Sequence, residues 1–402
     1  MRDTTRPPRG PKPIRAALAE FLRAESASGV VLLIATVAAL TWANVATSGY
    51  HDLWSHRLTL PFTDSSETLQ GWVNDALMVV FFFVVGLEIK RELVVGELRD
   101  RRAAMLPVVA AVGGMVVPAA LFLAVNAGSH TLERGWAIPV ATDIAFVVGV
   151  LALLGPRVPS GLKLFLLTLA IADDIGGIVI IAVVYSHRVE LAWIGLALVA
   201  VGTVVLIRKA GVSTPWAYLL PAAVLWFATY ESGVHPTIAG VVLGLLTPAV
   251  PVKGRAVLED LEHRLHPWSS FVVVPLFALA NAGVVLSGGA IGDAGSSTLA
   301  WGVVAGLVLG KPIGIGVATW LAVRTGVGRL PAGVRAIHIV GGGILGGIGF
   351  TIALFIAELS YSGRAKVDVA KIGVLAASLA AAVIGSAVLL IGARVGPTPT
   401  AD

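Results

Sequence analysis

From Leu162 to Val184 the chain runs as a predominantly apolar stretch with two adjacent carboxylates, Asp173 and Asp174, at its middle. A stretch of about 20 such residues is long enough to cross a bilayer as a helix. A charged Asp at the centre of a spanning helix costs about 2.5–3.5 kcal/mol on insertion scales. Two together are hard to explain by packing alone, even with neutralising partners in a helix bundle. They point to a proton- or cation-binding site.

Composition extends the membrane reading to the whole chain. Of 402 residues, 56% are hydrophobic and 13% charged, with mean hydropathy +0.88. Soluble domains carry about 25% charged residues, so the expectation is a multi-pass membrane protein. The absence of cysteine excludes disulfides and thiolate metal sites. The first 26 residues are basic and proline-rich, with Arg2, Arg6, Arg9, Lys12, Arg15 and Arg23. The apolar run after them is longer than the roughly 7–15 residues of a signal-peptide core, so it reads as a first span. The expected organisation is a disordered basic cytoplasmic arm over 1–26, one twelve-helix domain over 27–395 and a disordered tail over 396–402. The arm reads as a topogenic flank, and no nucleic-acid contact is expected.

Twelve spans are expected near 28–47, 70–90, 105–127, 136–154, 162–184, 190–207, 215–230, 234–249, 268–287, 299–323, 335–359 and 369–394. With the N-terminus inside, 22 of the 29 Lys and Arg residues fall in cytoplasmic segments and six outside, which places both termini in the cytoplasm. Arg364, Lys366 and Lys371, in the last outside loop, run against that trend. The long outside loop near 51–69 alternates apolar residues beside a turn cluster, so a short β-hairpin is expected there. An isolated hairpin is marginal in water, and pairing with a second copy would make the protein a homodimer.

Three further features stand with the Asp pair. Pro139 lies in the fourth span, directly before Thr142 and Asp143. Proline removes a backbone donor, and Pro followed by Thr-Asp at mid-membrane reads as an unwound stretch lining a cavity. Lys311 lies midway along the tenth span, in Gly310-Lys-Pro-Ile-Gly314. It needs a carboxylate partner, Asp173 or Asp174, or else stays neutral in its burial. In the eleventh span, the run from Gly341 to Thr351 includes Gly346, Gly347 and Gly349. Each Gly costs about 1 kcal/mol relative to Ala in a helix. That density favours a broken helix over close packing alone.

The trios formed by spans three to five and ten to twelve begin on opposite sides, and the middle member of each is interrupted. That is the pattern of inverted-topology repeats with the site between two broken helices. At this point the residues resemble a known family, the NhaA-type sodium/proton antiporters, themselves a standard example of that repeat architecture. The resemblance is carried by Asn74-Asp-Ala-Leu-Met, Val85-Gly-Leu-Glu-Ile-Lys-Arg-Glu-Leu93, Ala141-Thr-Asp-Ile-Ala-Phe146, Ala172-Asp-Asp174, Ser232-Gly-Val-His-Pro-Thr237, Leu261-Glu-His-Arg-Leu-His-Pro-Trp268, Leu276-Phe-Ala-Leu-Ala-Asn-Ala-Gly283, Leu309-Gly-Lys-Pro312 and Gly347-Ile-Gly-Phe-Thr351. It implies an all-α fold of twelve transmembrane helices in the bacterial cytoplasmic membrane. It also implies that Asp173 and Asp174 carry cation and protons. Asp143 and Lys311 would then offset the facing partial charges where the broken helices cross.

Sodium is a hard cation that favours oxygen ligands, here the carboxylates of Asp173 and Asp174, with the Thr142 hydroxyl and unwound carbonyls as further candidates. Protons compete for the same carboxylates, so binding is mutually exclusive and yields exchange of sodium or lithium for protons, with no cofactor. Two titratable groups releasing two protons per sodium would make it electrogenic. Two cytoplasmic clusters, Glu88, Arg91 and Glu92 with Glu262, His263 and His266, read as a solvated rim from chemistry alone. The resemblance implies a pH response there, and at His235. His263 and His266 also form a weak candidate metal pair. A sodium-coupled symporter is the nearer alternative and needs a substrate pocket. A membrane-embedded aspartyl protease would need two acids, such as Asp143 and Asp173, facing one another around a water.

Overall fold

In lipid a spanning segment must satisfy its own backbone hydrogen bonds, and apolar runs of this length do so as helices. The computed structural model describes residues 14–59, 66–186, 189–212, 214, 216–251 and 256–394, and these are almost wholly helical. In order they form α1 (Ile14–Val45), α2 (Leu69–Val94), α3 (Arg101–Val125), a 3-10 helix (Arg134–Val140), α4 (Ile144–Leu154), α5 (Ser160–Val184), α6 (Leu191–Lys209), α7 (Trp216–Glu231), α8 (Thr237–Leu246), α9 (Val257–Trp268), α10 (Val274–Asn281), α11 (Thr298–Arg324), α12 (Ala336–Leu345), α13 (Phe350–Ser360) and α14 (Arg364–Arg394). Helix lies in each of the twelve expected stretches. Among the described residues seven helices are long and apolar enough to cross a membrane, or nine when each bent pair counts as one span. The shortfall lies in α7, α8 and α10, of 16, 10 and 8 residues.

One boundary is corrected. α1 begins at Ile14, so the second half of the basic arm is helical rather than disordered. Its residues from Ile14 to Glu25 are mostly Ala, Leu, Arg and Glu, which are strong helix formers and extend the span behind them. The readings of residues 1–13 and 396–402 lie outside the described residues.

The hairpin is present as β1 (Arg57–Thr59) and β2 (Ser66–Thr68), antiparallel, with Arg57 opposite Thr68 and Thr59 opposite Ser66. Its turn lies outside the described residues. Two of the three basic residues that ran against the orientation trend have acidic neighbours: Lys371 pairs with Glu358 at 2.5 Å, and Arg364 with Asp368 at 4.0 Å.

Close helix approach sets the frame around the site. α8 packs on α2 where Gly244 meets Gly86; a Cβ on Gly244 would lie 2.7 Å from Gly86 Cα. Proline also shapes the spans. In α11 the turn Ala305–Gly310 is π-helical, and Lys311 with Pro312 starts the regular helix after it. Such bulges are frequent at functional sites. This one falls immediately before the buried lysine.

Candidate functional site

Two helices break at the same place. The 3-10 helix containing Pro139 ends at Val140; Ala141–Asp143 is non-helical, and α4 departs at 43°. Opposite it, α12 ends at Leu345, and α13 resumes at Phe350 after a 48° bend. The breaks bind each other: Asp143 N donates to Ile348 O at 2.6 Å, and Thr142 Oγ1 donates to Gly346 O at 2.9 Å. Gly346, Gly347 and Gly349 all have negative φ, so their role is space rather than backbone freedom. A Cβ on Gly347 would collide with the Leu307 carbonyl of α11, and one on Gly349 would press Ala141 O at 3.2 Å. Close packing and a broken helix, set against each other in the sequence, are here one arrangement.

Asp143 sits where the two resumed helices begin. Its Oδ1 accepts from Phe146 N at 3.1 Å, capping α4. Its Oδ2 accepts from Thr351 N at 3.0 Å and from Thr351 Oγ1 at 2.6 Å, so it also holds the first turn of α13. An acid between two helix N-termini faces about half a positive charge from each. Lys311 is placed differently. Its Nζ donates to Asp173 Oδ2 at 2.7 Å, and both side chains are fully buried. Of the two carboxylates offered as its partner, Asp173 is the one it meets.

Asp174 is 6% exposed and lines a cavity of about 80 Å³ together with Thr142, Asp143 and Thr351. The cavity reaches Glu88 on α2 and His266 on α9. A water needs about 10–15 Å³, so this space passes a few waters or a small ion, whereas organic ligand pockets run to about 300–1,000 Å³. Asp173 Oδ1 and Asp174 Oδ1 are buried without a protein hydrogen-bond partner. Carboxylate oxygens buried without a partner are costly. Their chemistry fits a small hard cation or a proton.

At the far end of the cavity Arg91 is hydrogen-bonded and ion-paired with Glu262 and lies 3.4 Å from Glu92, and His266 Nε2 lies 3.8 Å from Glu88. Burial pushes the Glu262 carboxyl above the usual range, and Arg91 opposes that push. His263 is exposed on α9. Among the described residues no group of three or more His, Cys, Asp or Glu could hold a metal, which leaves the His263–His266 reading without ligands. His235 does not join this cluster. It lies 3.4 Å from Asp75 and 2.9 Å from Thr237 Oγ1. Asp75 precedes Glu88 by 13 residues on α2, or about 20 Å of helix.

Sequence reasoning missed the parts played by Thr351 and Asp75. Thr351 opens a helix after a glycine run, where a hydroxyl near the N-terminus is a usable signal. The protease alternative is not met: the Asp143 carboxylate caps two helices and that of Asp173 holds Lys311.

Interrupted helices that cross around buried acids, reached by a passage fit for an ion, define a membrane carrier of small ions. A family model described as Na+/H+ antiporter 1 matches residues 19–389. The chain is 45% identical to the Na(+)/H(+) antiporter NhaA of Shigella dysenteriae serotype 1 (strain Sd197) and 46% to that of Escherichia coli O1:K1 / APEC. Each match spans 383 residues, covering 94% of this chain and 98% of the relative. The chain belongs to the Na+/H+ antiporter 1 family, a family of transporters rather than enzymes.

Capping by Asp143 makes an ordered expectation. Thr351→Val removes one hydroxyl and keeps the backbone bond, costing about 1–3 kcal/mol. Asp143→Ala removes every acceptor at both helix starts and costs more. Thermal unfolding in detergent should rank wild type above Thr351→Val above Asp143→Ala; equal melting temperatures for the two variants would contradict the shared cap.

Proposed function

We propose that this protein exchanges sodium or lithium for protons across the bacterial cytoplasmic membrane, with Asp173 and Asp174 as the groups for which the ions compete. The observation that carries this is the pair of buried, unpaired carboxylate oxygens beside the helix breaks, one of the acids lining a narrow cavity. The names printed for the relatives agree with it. The cation takes oxygens from Asp174 and Asp173, with Thr142 in reach as a hydroxyl. Arrival of protons at the carboxylates releases it. Lys311 keeps Asp173 compensated and is itself a proton carrier, so two protons can leave when one sodium enters. Exchange is then electrogenic. The cavity is too small for an organic co-substrate, which disfavours the symporter reading.

The same reading has twelve spans, with two trios, spans three to five and ten to twelve, as inverted repeats. It is supported by the matching breaks at Ala141–Asp143 and between Leu345 and Phe350. Both termini are cytoplasmic, a reading supported by the distribution of basic residues. A homodimer forms through the hairpin, whose β1 strand is exposed.

Reconstituted into vesicles under a pH gradient, the protein should collapse the gradient when sodium is added. Asp174→Asn should fall to the rate of empty vesicles, and Asp293→Asn, an exposed acid on a short helix, should match wild type. Undiminished exchange in Asp174→Asn removes that residue from the mechanism.

Charge movement is tested in the same vesicles. An imposed potential should accelerate exchange in the direction that carries positive charge with the protons. Exchange independent of voltage defeats the two-proton count.

The α2–α9 contact supplies the pH response. Glu262 faces Arg91 and also feels His266, Glu92 and Glu259. Because its folded pKa is raised, its charge, and with it the full bond to Arg91, develops as pH rises through a window above the free-carboxylate range. In that window the folded state holds the extra proton, so this group's contribution to stability falls as pH rises. Glu262→Gln should flatten the acid side of the activity profile. An unchanged profile would return this cluster to a solvated rim.

A further inference from the structure

At the other end of α2 from Glu88 lies a second cavity, of about 230 Å³, lined by Tyr50, Gln70, Glu358, Arg364, Asp368 and Lys371. Gln70 and Glu88 are 18 residues apart on that helix, about 27 Å. The two cavities therefore approach the site from opposite membrane faces.

The floor of this second cavity is a continuous polar chain. Lys371 Nζ lies 2.5 Å from Glu358 Oε1, and Gln70 Nε2 donates to the same oxygen at 2.9 Å. Gln70 Nε2 also donates to Asn281 Oδ1 at 3.0 Å, and Asn281 Nδ2 donates to Asn74 Oδ1 at 2.8 Å. Asn281 is fully buried. Four helices, α2, α10, α13 and α14, are tied together in this way. Inward of the chain, Phe355 packs on Phe82 and Phe277, with ring centroids 5.6 and 6.0 Å apart. Phe82 also lines a small pocket beside Asp174, so these rings are the dry stop between the two cavities.

α13 joins all three layers. Thr351 holds Asp143 in its first turn, Phe355 follows one turn later, and Glu358 lies seven residues after Thr351. Spacings of four and seven put these side chains on one face of a helix. A rigid shift of α13 therefore moves the site contact, the aromatic stop and the ion pair together.

We propose that the second cavity is the outer half of the ion route and that the Glu358–Lys371 pair is its latch, closed in this structure. Opening to the outside parts Glu358 from Lys371 and carries Phe355 away from Phe82 and Phe277. The energetics favour a latch. The Lys371 side chain is 5% exposed and that of Glu358 22%, so breaking the pair leaves a buried lysine charge without its partner. The cavity that both residues line is the nearest source of water for that charge, so removing one partner favours widening it. Glu358 and Lys371 are positioning residues and do not bind the transported ion in this scheme, which rests on the exchange proposed above.

The chain's lack of cysteine makes the test direct. Ala280, 3% exposed in the cavity wall, is replaced in Ala280→Cys, and a membrane-impermeant maleimide is added outside right-side-out vesicles. Adding Glu358→Gln, or Lys371→Met if that variant does not fold, should raise the labelling rate severalfold. The reversed pair, Glu358→Lys with Lys371→Glu, should return it to the starting rate. Labelling that stays at the starting rate in the single variants overturns the latch. So does a reversed pair that labels as fast as they do. Exchange is not the readout. If labelling behaves as expected in a protein that exchanges no sodium, the exchange proposal fails and the latch stands.

Discussion

Two helix N-termini meet one carboxylate at the centre of this molecule, and the rest of the site depends on that meeting. Breaking a helix at mid-membrane leaves backbone donors without partners where no lipid can supply any. Asp143 resolves both breaks at once, taking Phe146 N from one helix and Thr351 N from the other. The crossed bonds from Asp143 N to Ile348 O and from Thr142 Oγ1 to Gly346 O close more of the account. Neither break is self-sufficient; each supplies acceptors that the other needs.

With the backbone satisfied, the neighbouring acids are left with different environments. Asp173 has Lys311 Nζ at 2.7 Å and no exposure. Asp174, next to it in sequence, faces the cavity. Adjacent residues on a helix point about 100° apart, so one can turn to α11 while the other turns to the passage. In the exchange proposed above, that divergence lets one carboxylate stay compensated while the other meets an arriving ion, which two acids on the same helix face could not do.

The site was more legible in the sequence than the frame around it. Charged residues in apolar runs advertise themselves, and Asp143, Asp173, Asp174 and Lys311 all lie at or beside the breaks. Pro139 marked its break because it lacks an N–H. The glycines near Gly347 marked theirs too, although their need is room beside Leu307 O rather than turn geometry. What the sequence hid were relations between distant segments. Thr351 carries no charge, and its importance arises only when α13 is brought to Asp143. His235 took its pH role from the resemblance alone, and nothing in the sequence showed that it lies beside Asp75, about 20 Å along α2 from Glu88. The start of α1 was misplaced because Arg and Pro near the N-terminus outweighed the helix formers from Ile14 onward.

A carrier must also avoid being open at both faces, and in the scheme proposed above little material does so. Between the two cavities stand the ring cluster of Phe82, Phe277 and Phe355 and the polar chain from Lys371 to Asn74. Neither layer alone would suffice: rings without the ion pair could part as side chains rotate, and polar groups without the rings would conduct water. Stacked on α13, they move with a helix whose first turn is fixed to Asp143. In the scheme proposed above, an ion bound beside Asp143 changes the charge that this helix start feels, and the helix carries that change to its other end. Two broken helices thus supply both the lined cavity beside Asp143 and a stiff element of eleven residues, from Phe350 to Ser360, between that cavity and the second one.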